Sequence, residues 1–251
     1  MSVAGPSRRY FFVHMQKTAG IELRRRLIRH FGRAAVYPTH RIDGGHRIEA
    51  IISIDYLRER MAASGDRIEV IIGHFPLCTT ELLEGQFATL TVLRNPVERT
   101  LSYLRHHRKN NRRNRDKSLE AIYAQPLHFH NFLQNHMTKM LSLTPGELTA
   151  GMLTRVELND EHLDRAKEAL ARMEAVGLQE RFEEFCDELG ARLGWRLGEP
   201  GRMNTTAPVE VPDGFRARIA EDNALDIELY EFAEGLVSRR PTAPACRPPS
   251  C

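Results

Sequence analysis

The sequence predicts an α/β fold: a P-loop-like parallel sheet flanked by helices on both faces. Three observations lead there. Four short apolar runs, at residues 10–14, 68–73, 88–93 and 175–178, are bounded by turn residues and lack the alternation of half-solvated strands. Segments of helical period fill the intervals between them, the order that produces a parallel sheet. A length of 251 residues suits one domain of this kind, assigned here to residues 1–238.

The first run, Tyr10-Phe11-Phe12-Val13-His14, reads as a buried strand. After it, Leu23, Leu27 and Phe31 recur every four residues with Ile28 beside them, an apolar helical stripe that leaves Arg24, Arg25, Arg26 and Arg29 mostly facing out. Gly32 is a natural stop for that helix. A second helix is expected over residues 47–61, with Ile48, Ile51 and Ile52 inward, and a third starts at Pro96 and runs through Leu101 and Leu104. Further helices are expected at 118–124, 127–141, 161–173, 180–193 and 212–237, the last broken near Asp222. From 239 to 251 the composition turns to Pro, Ala, Ser and Thr, as in a disordered tail.

An apolar share of 41% is enough for a sizeable core, yet no run approaches the ~20 apolar residues of a membrane span. Met1 to Arg9 lacks the apolar stretch of a secretory signal, so a soluble, cytoplasmic protein is expected. Cys78, Cys186, Cys246 and Cys251 show no metal-binding spacing, which predicts reduced thiols and no metal site. A formal charge of +3 does not call for nucleic acid. The charge is concentrated, however: Arg105, Arg108, Lys109, Arg112, Arg113, Arg115 and Lys117 are opposed only by Asp116. Such a run is either a solvated loop or a field that attracts an anionic donor or acceptor. No signal for an oligomeric state is visible.

The chemistry gathers where the first strand ends. Met15-Gln16-Lys17-Thr18-Ala19-Gly20 leads from that strand into the Arg-rich helix. A strand, a turn of small residues and a helix N-terminus together present free N–H groups and the positive end of the helix dipole to an anion. A lysine in the turn adds a mobile point charge. Here the lysine precedes the small residues, and no GK[ST] exists in the chain, so this is not the ATP- or GTP-binding Walker loop. An ordinary helix-start turn is the competing reading. A second piece lies at Arg94-Asn95-Pro96-Val97-Glu98-Arg99-Thr100-Leu101-Ser102. There an arginine leaves a strand at its carboxyl edge, and a hydroxyl follows about two turns into the next helix. A guanidinium fork with a hydroxyl suits a phosphate monoester.

These residues resemble the PAPS-dependent sulfotransferases, especially the branch that includes heparan-sulfate 2-O-sulfotransferases and bacterial relatives; PAPS is 3′-phosphoadenosine 5′-phosphosulfate. The family's first motif, H-x-P-K-T-G/A-G-T-S, is matched by His14 to Gly20, and its second, R-[DN]-P-x-x-R-x-x-S, by Arg94 to Ser102. Two weaker echoes are Gly177-Leu178-Gln179-Glu180-Arg181-Phe182 and Asp226-Ile227-Glu228-Leu229-Tyr230. The resemblance implies the sulfotransferase fold, PAPS as sulfuryl donor and a hydroxylated acceptor, with an anionic or glycan acceptor compatible with the basic run. It implies that Lys17 assists departure of the nucleotide and that the 5′-phosphate rests on the loop from Thr18 through Ala19, Gly20, Ile21 and Glu22. Arg94 and Ser102 would hold the 3′-phosphate. Ile21 and Glu22 stand where the family carries a hydroxyl pair, and Gln16 where it carries proline, so the donor contacts differ there.

Transfer to a hydroxyl needs a base. His74, in Gly73-His74-Phe75-Pro76 after the second apolar run, matches the segment that supplies the base in the 2-O branch; His14 is the second candidate and Glu81 the third. His128, His130 and His136 read as a polar helix face, Trp195 as core, and Arg202-Met203-Asn204 as a loop that closes over the donor in relatives. Two other classes compete: a non-catalytic nucleotide-binding module that retains the loop, and a small-molecule kinase. The missing Walker loop counts against the kinase.

Overall fold

The computed structural model describes residues 8–39, 48–198 and 210–239. Five strands, β1 (Arg9–Val13), β2 (Val36–Tyr37), β3 (Val70–Gly73), β4 (Phe87–Leu93) and β5 (Ala175–Leu178), form one sheet in the order β2-β3-β1-β4-β5. All four pairings are parallel. The α/β class read from the sequence is therefore the observed one. Side chains alternate across β1: Phe11 and Val13 enter one core, Tyr10 and Phe12 the other. Both faces are covered, and that is why the strands read as unbroken apolar runs.

The face of Tyr10 and Phe12 is covered by α1 (Gly20–Phe31) and α9 (Phe182–Leu193), through Leu23, Leu27, Phe185 and Leu189. Trp195 closes that layer as expected, edge-on to Tyr10 at 4.8 Å between ring centres. The opposite face carries α3 (Ile54–Ser64), α7 (His136–Ser142), α8 (Asp160–Arg172) and α11 (Ala224–Arg239). A third cluster joins α4 (Pro96–Asn110), α5 (Leu119–Tyr123) and α10 (Asp213–Asp222). The break expected near Asp222 falls at Asn223. The tail beyond Arg239 lies outside the described residues, although α11 itself reaches Arg239.

Four expectations are corrected. The single helix over 47–61 is two, α2 (Glu49–Ile52) and α3, because the Ser53 hydroxyl accepts from the Tyr56 N–H at 3.2 Å and starts a new helix. Ile48, expected inward, is 61% exposed. The helix over 127–141 is a short α6 (Pro126–His128), a π-helical turn at Phe129–Leu133 and, after Asn135 in the left-handed region at φ 44°, α7. Arg26, expected outward, is fully buried. The two-residue β2 has no period to read and was not foreseen.

The π-helical turn has a visible cause. Arg99, fully buried on α4, donates from Nη1 to the Phe132 carbonyl at 3.0 Å and from Nη2 to the Leu133 carbonyl at 2.9 Å. Lys139 Nζ reaches the carbonyls of Asn131 at 3.0 Å and His130 at 3.5 Å, and that of Thr154 at 3.3 Å. Two buried cations thus take four consecutive carbonyls away from a regular α-helical ladder.

Gly177 in β5 has no room for a side chain: an added Cβ would lie 2.5 Å from the Phe185 ring and 2.9 Å from its Cβ. Gly177→Ala should lower the unfolding free energy by roughly 1–3 kcal/mol through this overpacking, measured by urea denaturation; an unchanged midpoint would show that α9 yields freely.

Candidate functional site

The loop between β1 and α1 is shaped from within. Thr18 is fully buried, and its hydroxyl donates to the Met15 carbonyl at 2.9 Å. Lys17 and Ala19 both take left-handed backbone angles, φ 71° and 63°, which for side chains other than glycine cost on the order of 1–3 kcal/mol each. Gly20 is required for space: an added Cβ would lie 1.8 Å from His14 Nε2. The Ala19 carbonyl accepts from the N–H groups of Glu22 and Leu23 at 3.0 and 3.1 Å, while those of Thr18, Ala19 and Gly20 meet no acceptor among the described residues. They are open to an anion.

Arg94 follows the last residue of β4 and donates from Nη1 to the Lys17 carbonyl at 3.1 Å. The Arg94 guanidinium therefore lies against the loop that carries Lys17. Burial, and next the Arg94 charge, pull the Lys17 ammonium below its ordinary value. Like charges held this close beside open N–H groups make a place for an anion. Further along α4, Ser102 is half-buried, and His106, one turn on, is pushed down by burial and then by Lys17. His106 was not singled out from the sequence; its i+4 spacing from Ser102 is the signal that marks it.

Glu22, the residue at odds with an anion site, is turned aside. Its carboxylate pairs with Arg26 Nε at 3.1 Å and Arg25 Nη1 at 3.7 Å. Arg26 in turn forks onto Glu183 of α9, with both contacts at 2.8 Å, and lies over the Phe182 ring. Its guanidinium is consequently held above the ordinary arginine value, chiefly by Glu183. Ile21 beside it is 71% exposed.

Two histidines stand at the carboxyl ends of β1 and β3. Their rings lie 4.5 Å apart between centres, tilted by 31°. His74 is tied by its N–H to the Ile51 carbonyl at 2.8 Å, and its Nδ1 lies 2.8 Å from the His14 carbonyl. A carbonyl can only accept, so the proton sits on Nδ1 and Nε2 keeps its lone pair. Burial lowers the His74 pKa; burial, His74 and Lys17 together hold His14 well below the ordinary imidazole value. Glu81 is exposed in the 3-10 turn Leu77–Leu82.

The weaker motif echoes prove to be braces. Glu180 accepts the Asn95 N–H at 3.1 Å and the Tyr230 hydroxyl at 3.0 Å. Asp226, fully buried, accepts the N–H groups of Met137 and Thr138 and the Thr138 hydroxyl at 2.7–3.0 Å. His128 Nδ1 meets the Tyr103 hydroxyl at 2.9 Å. No group of three or more His, Cys, Asp or Glu among the described residues is placed to hold a metal. Cys78 and Cys186 are free, and burial pushes both thiols up to about 12; Cys246, Cys251 and the Arg202 loop lie outside the described residues. No described helix is long and apolar enough to cross a membrane.

Fold and loop together define an α/β protein whose first loop leaves N–H groups open at the carboxyl edge of a parallel sheet. No family model matches the chain. It is 28% identical over 183 residues to heparan-sulfate 6-O-sulfotransferase 2 of Gallus gallus, covering 61% of this chain and 45% of the relative. The chain thus spans less than half the length of that protein. The likeness supports the sulfotransferase resemblance carried by the two motifs. A crystal structure of a sulfotransferase from Alicyclobacillus acidocaldarius aligns over 93% of this chain and 97% of its own, with 17% identity and a TM-score of 0.49.

Lys139 offers a pH test of the scaffold behind the cleft. Burial lowers its pKa to about 8. Below pH 8 both native and unfolded lysine are protonated, and the native state carries the full penalty, on the order of 3 kcal/mol. Between pH 8 and the unfolded value near 10.4 only the unfolded chain binds the proton, so stability rises with pH. Urea unfolding at pH 7.5 and 10 should show the wild type gaining about 2 kcal/mol relative to Lys139→Met; parallel curves would refute the shifted lysine.

Proposed function

We propose that the chain is an O-sulfotransferase that moves a sulfuryl group from PAPS to a hydroxyl of a glycan or other hydroxylated acceptor. The observation that carries this reading is the 3.1 Å contact between Arg94 and the Lys17 carbonyl, which brings two cations together beside open N–H groups. The residues fit such a donor: the loop offers N–H groups to a 5′-phosphate, and Arg94 with Ser102 offers a guanidinium and a hydroxyl to a 3′-phosphate. A donor with two anionic ends accounts for both motifs. An ATP site does not require the second.

Thr18, Ala19 and Gly20 bind through their N–H groups, while the Thr18 hydroxyl, committed to Met15, keeps the loop in shape. The Ile21 backbone continues the cradle, and Glu22 serves it by staying paired with Arg26. The donor supplies an activated sulfur whose bond to the bridging phosphate oxygen breaks as the acceptor oxygen bonds to it. His74 Nε2 takes the acceptor proton, and Lys17 neutralises charge growing on the departing oxygen. Positioning and charge stabilisation carry the reaction, as in phosphoryl transfer. The basic face of residues 105–117 favours an anionic acceptor, in line with the heparan sulfate named for the relative. The non-catalytic alternative draws on Ile21 and Glu22 together; the pairing of Glu22 with Arg26 answers the part that concerns Glu22.

Labelled PAPS with desulfated heparan sulfate is the direct assay. Lys17→Ala should reduce turnover by at least a hundredfold, and Arg94→Ala should chiefly raise the donor KM. Wild-type turnover in Lys17→Ala would remove that lysine from the mechanism. Because burial lowers the His74 pKa, turnover should hold as pH falls through 6.5, the ordinary imidazole value, and decline only below it. His74→Ala should lose most turnover with donor affinity retained; an acid limb at or above 6.5, or unchanged turnover, would exclude His74 as the base.

A further inference from the structure

Arg94 can grip one end of a nucleotide only if the peptide that carries it is fixed, and the sheet does not fix it. The β4–β5 ladder ends at the Leu93–Leu178 pair, so the chain leaves both strands just before Arg94 and Gln179. The Asn95 N–H therefore has no strand partner. Its side chain is already used, because Asn95 Oδ1 accepts the N–H groups of Val97 and Glu98 at 3.1 and 3.2 Å and caps α4. The missing acceptor comes from Glu180, in the 3-10 turn Gln179–Arg181 that follows β5. Its Oε1 takes the Asn95 N–H, and its Oε2 takes the Tyr230 hydroxyl.

Tyr230 is a rigid post. It is 7% exposed, within the core that covers one sheet face. One turn earlier on α11, Asp226 accepts three donors from the start of α7, locking α11 in place. The chain of contacts runs from α7 through Asp226 and Tyr230 to Glu180, then to the Asn95 peptide and Arg94.

We infer that Glu180 and Tyr230 are positioning residues that aim Arg94 at the 3′-phosphate of the donor, and so set the preference for a 3′-phosphorylated nucleotide. The inference rests on the donor assignment above. Neither residue need touch the nucleotide; each acts through the peptide between Arg94 and Asn95. The readout is the ratio of two affinities measured on one preparation, which a general loss of folded protein does not change.

The dissociation constants of 3′-phosphoadenosine 5′-phosphate and adenosine 5′-phosphate are to be measured by titration calorimetry on four proteins. The wild type should prefer the 3′-phosphorylated nucleotide. Glu180→Ala should lose about tenfold of that preference, as removal of supporting shells commonly does, and Tyr230→Phe should lose a few-fold. Glu180→Gln keeps an oxygen for the Asn95 N–H and an amide for the tyrosine hydroxyl, so it should restore most of the preference. A ratio unchanged in Glu180→Ala, or equal losses in the Gln and Ala variants, would overturn positioning by hydrogen bonds. If Glu180→Ala fails to fold, an unchanged ratio in Tyr230→Phe overturns it equally. Should the wild type itself show no preference, the donor assignment falls first and this inference with it.

Discussion

Two cations held near one another need a fixed point between their segments, and the contact between the Arg94 guanidinium and the Lys17 carbonyl is where this chain provides it. Lys17 presents its carbonyl toward β4 because its backbone is left-handed, and that conformation is maintained by the Thr18 hydroxyl on Met15 and the His14 ring over Gly20. Arg94 leaves the neighbouring strand at the height of the loop because β1 and β4 pair in parallel register, Val13 opposite Thr91. Sheet register, loop conformation and convergence of charge are one condition.

Around this contact lie side chains whose work is to keep other charges out of the way. Arg26 neutralises Glu22 and is itself clamped by Glu183. Arg99 and Lys139 occupy carbonyls rather than carboxylates, so the scaffold behind the cleft keeps a surplus of positive charge, with Asp226 as the buried anion near both. Buried cations of this kind are expensive in isolation, and carbonyl dipoles at about 3 Å are what make them tolerable. The irregular chain between Phe129 and Asn135 is the geometric result.

Four of the five strands and most helices were legible because burial on both faces leaves long apolar runs, and because Pro96, with its fixed φ, and Gly32, free to take φ 86°, mark helix ends. The placement of Lys17, Arg94 and Ser102, after strand ends and about two turns into a helix, was legible from their spacing. What could not be read was whatever depends on contacts distant in sequence. Arg26 looks like the other arginines of its helix until Glu183, 157 residues away, is folded against it. The same holds for Glu180, whose partners are the cap residue of α4 and Tyr230 of α11, and for the helix over 127–141, whose interruption is imposed by Arg99 from α4 and by Lys139. His106 carried a local signal, hidden inside a run of basic residues.

The fork from Arg26 to Glu183 has a consequence for how the surroundings of the loop after β1 come into being. The loop is encoded near the beginning of the chain and is complete in sequence by Gly20, but the guanidinium that pairs with Glu22 is anchored only when a helix from the last third brings Glu183 against it. A nascent or truncated chain ending before α9 would hold the loop and the Glu22–Arg26 pair with that arginine unclamped on its far side. The setting of that pair is thereby tied to completion of the fold, since closing so long a loop belongs to its late, non-local contacts.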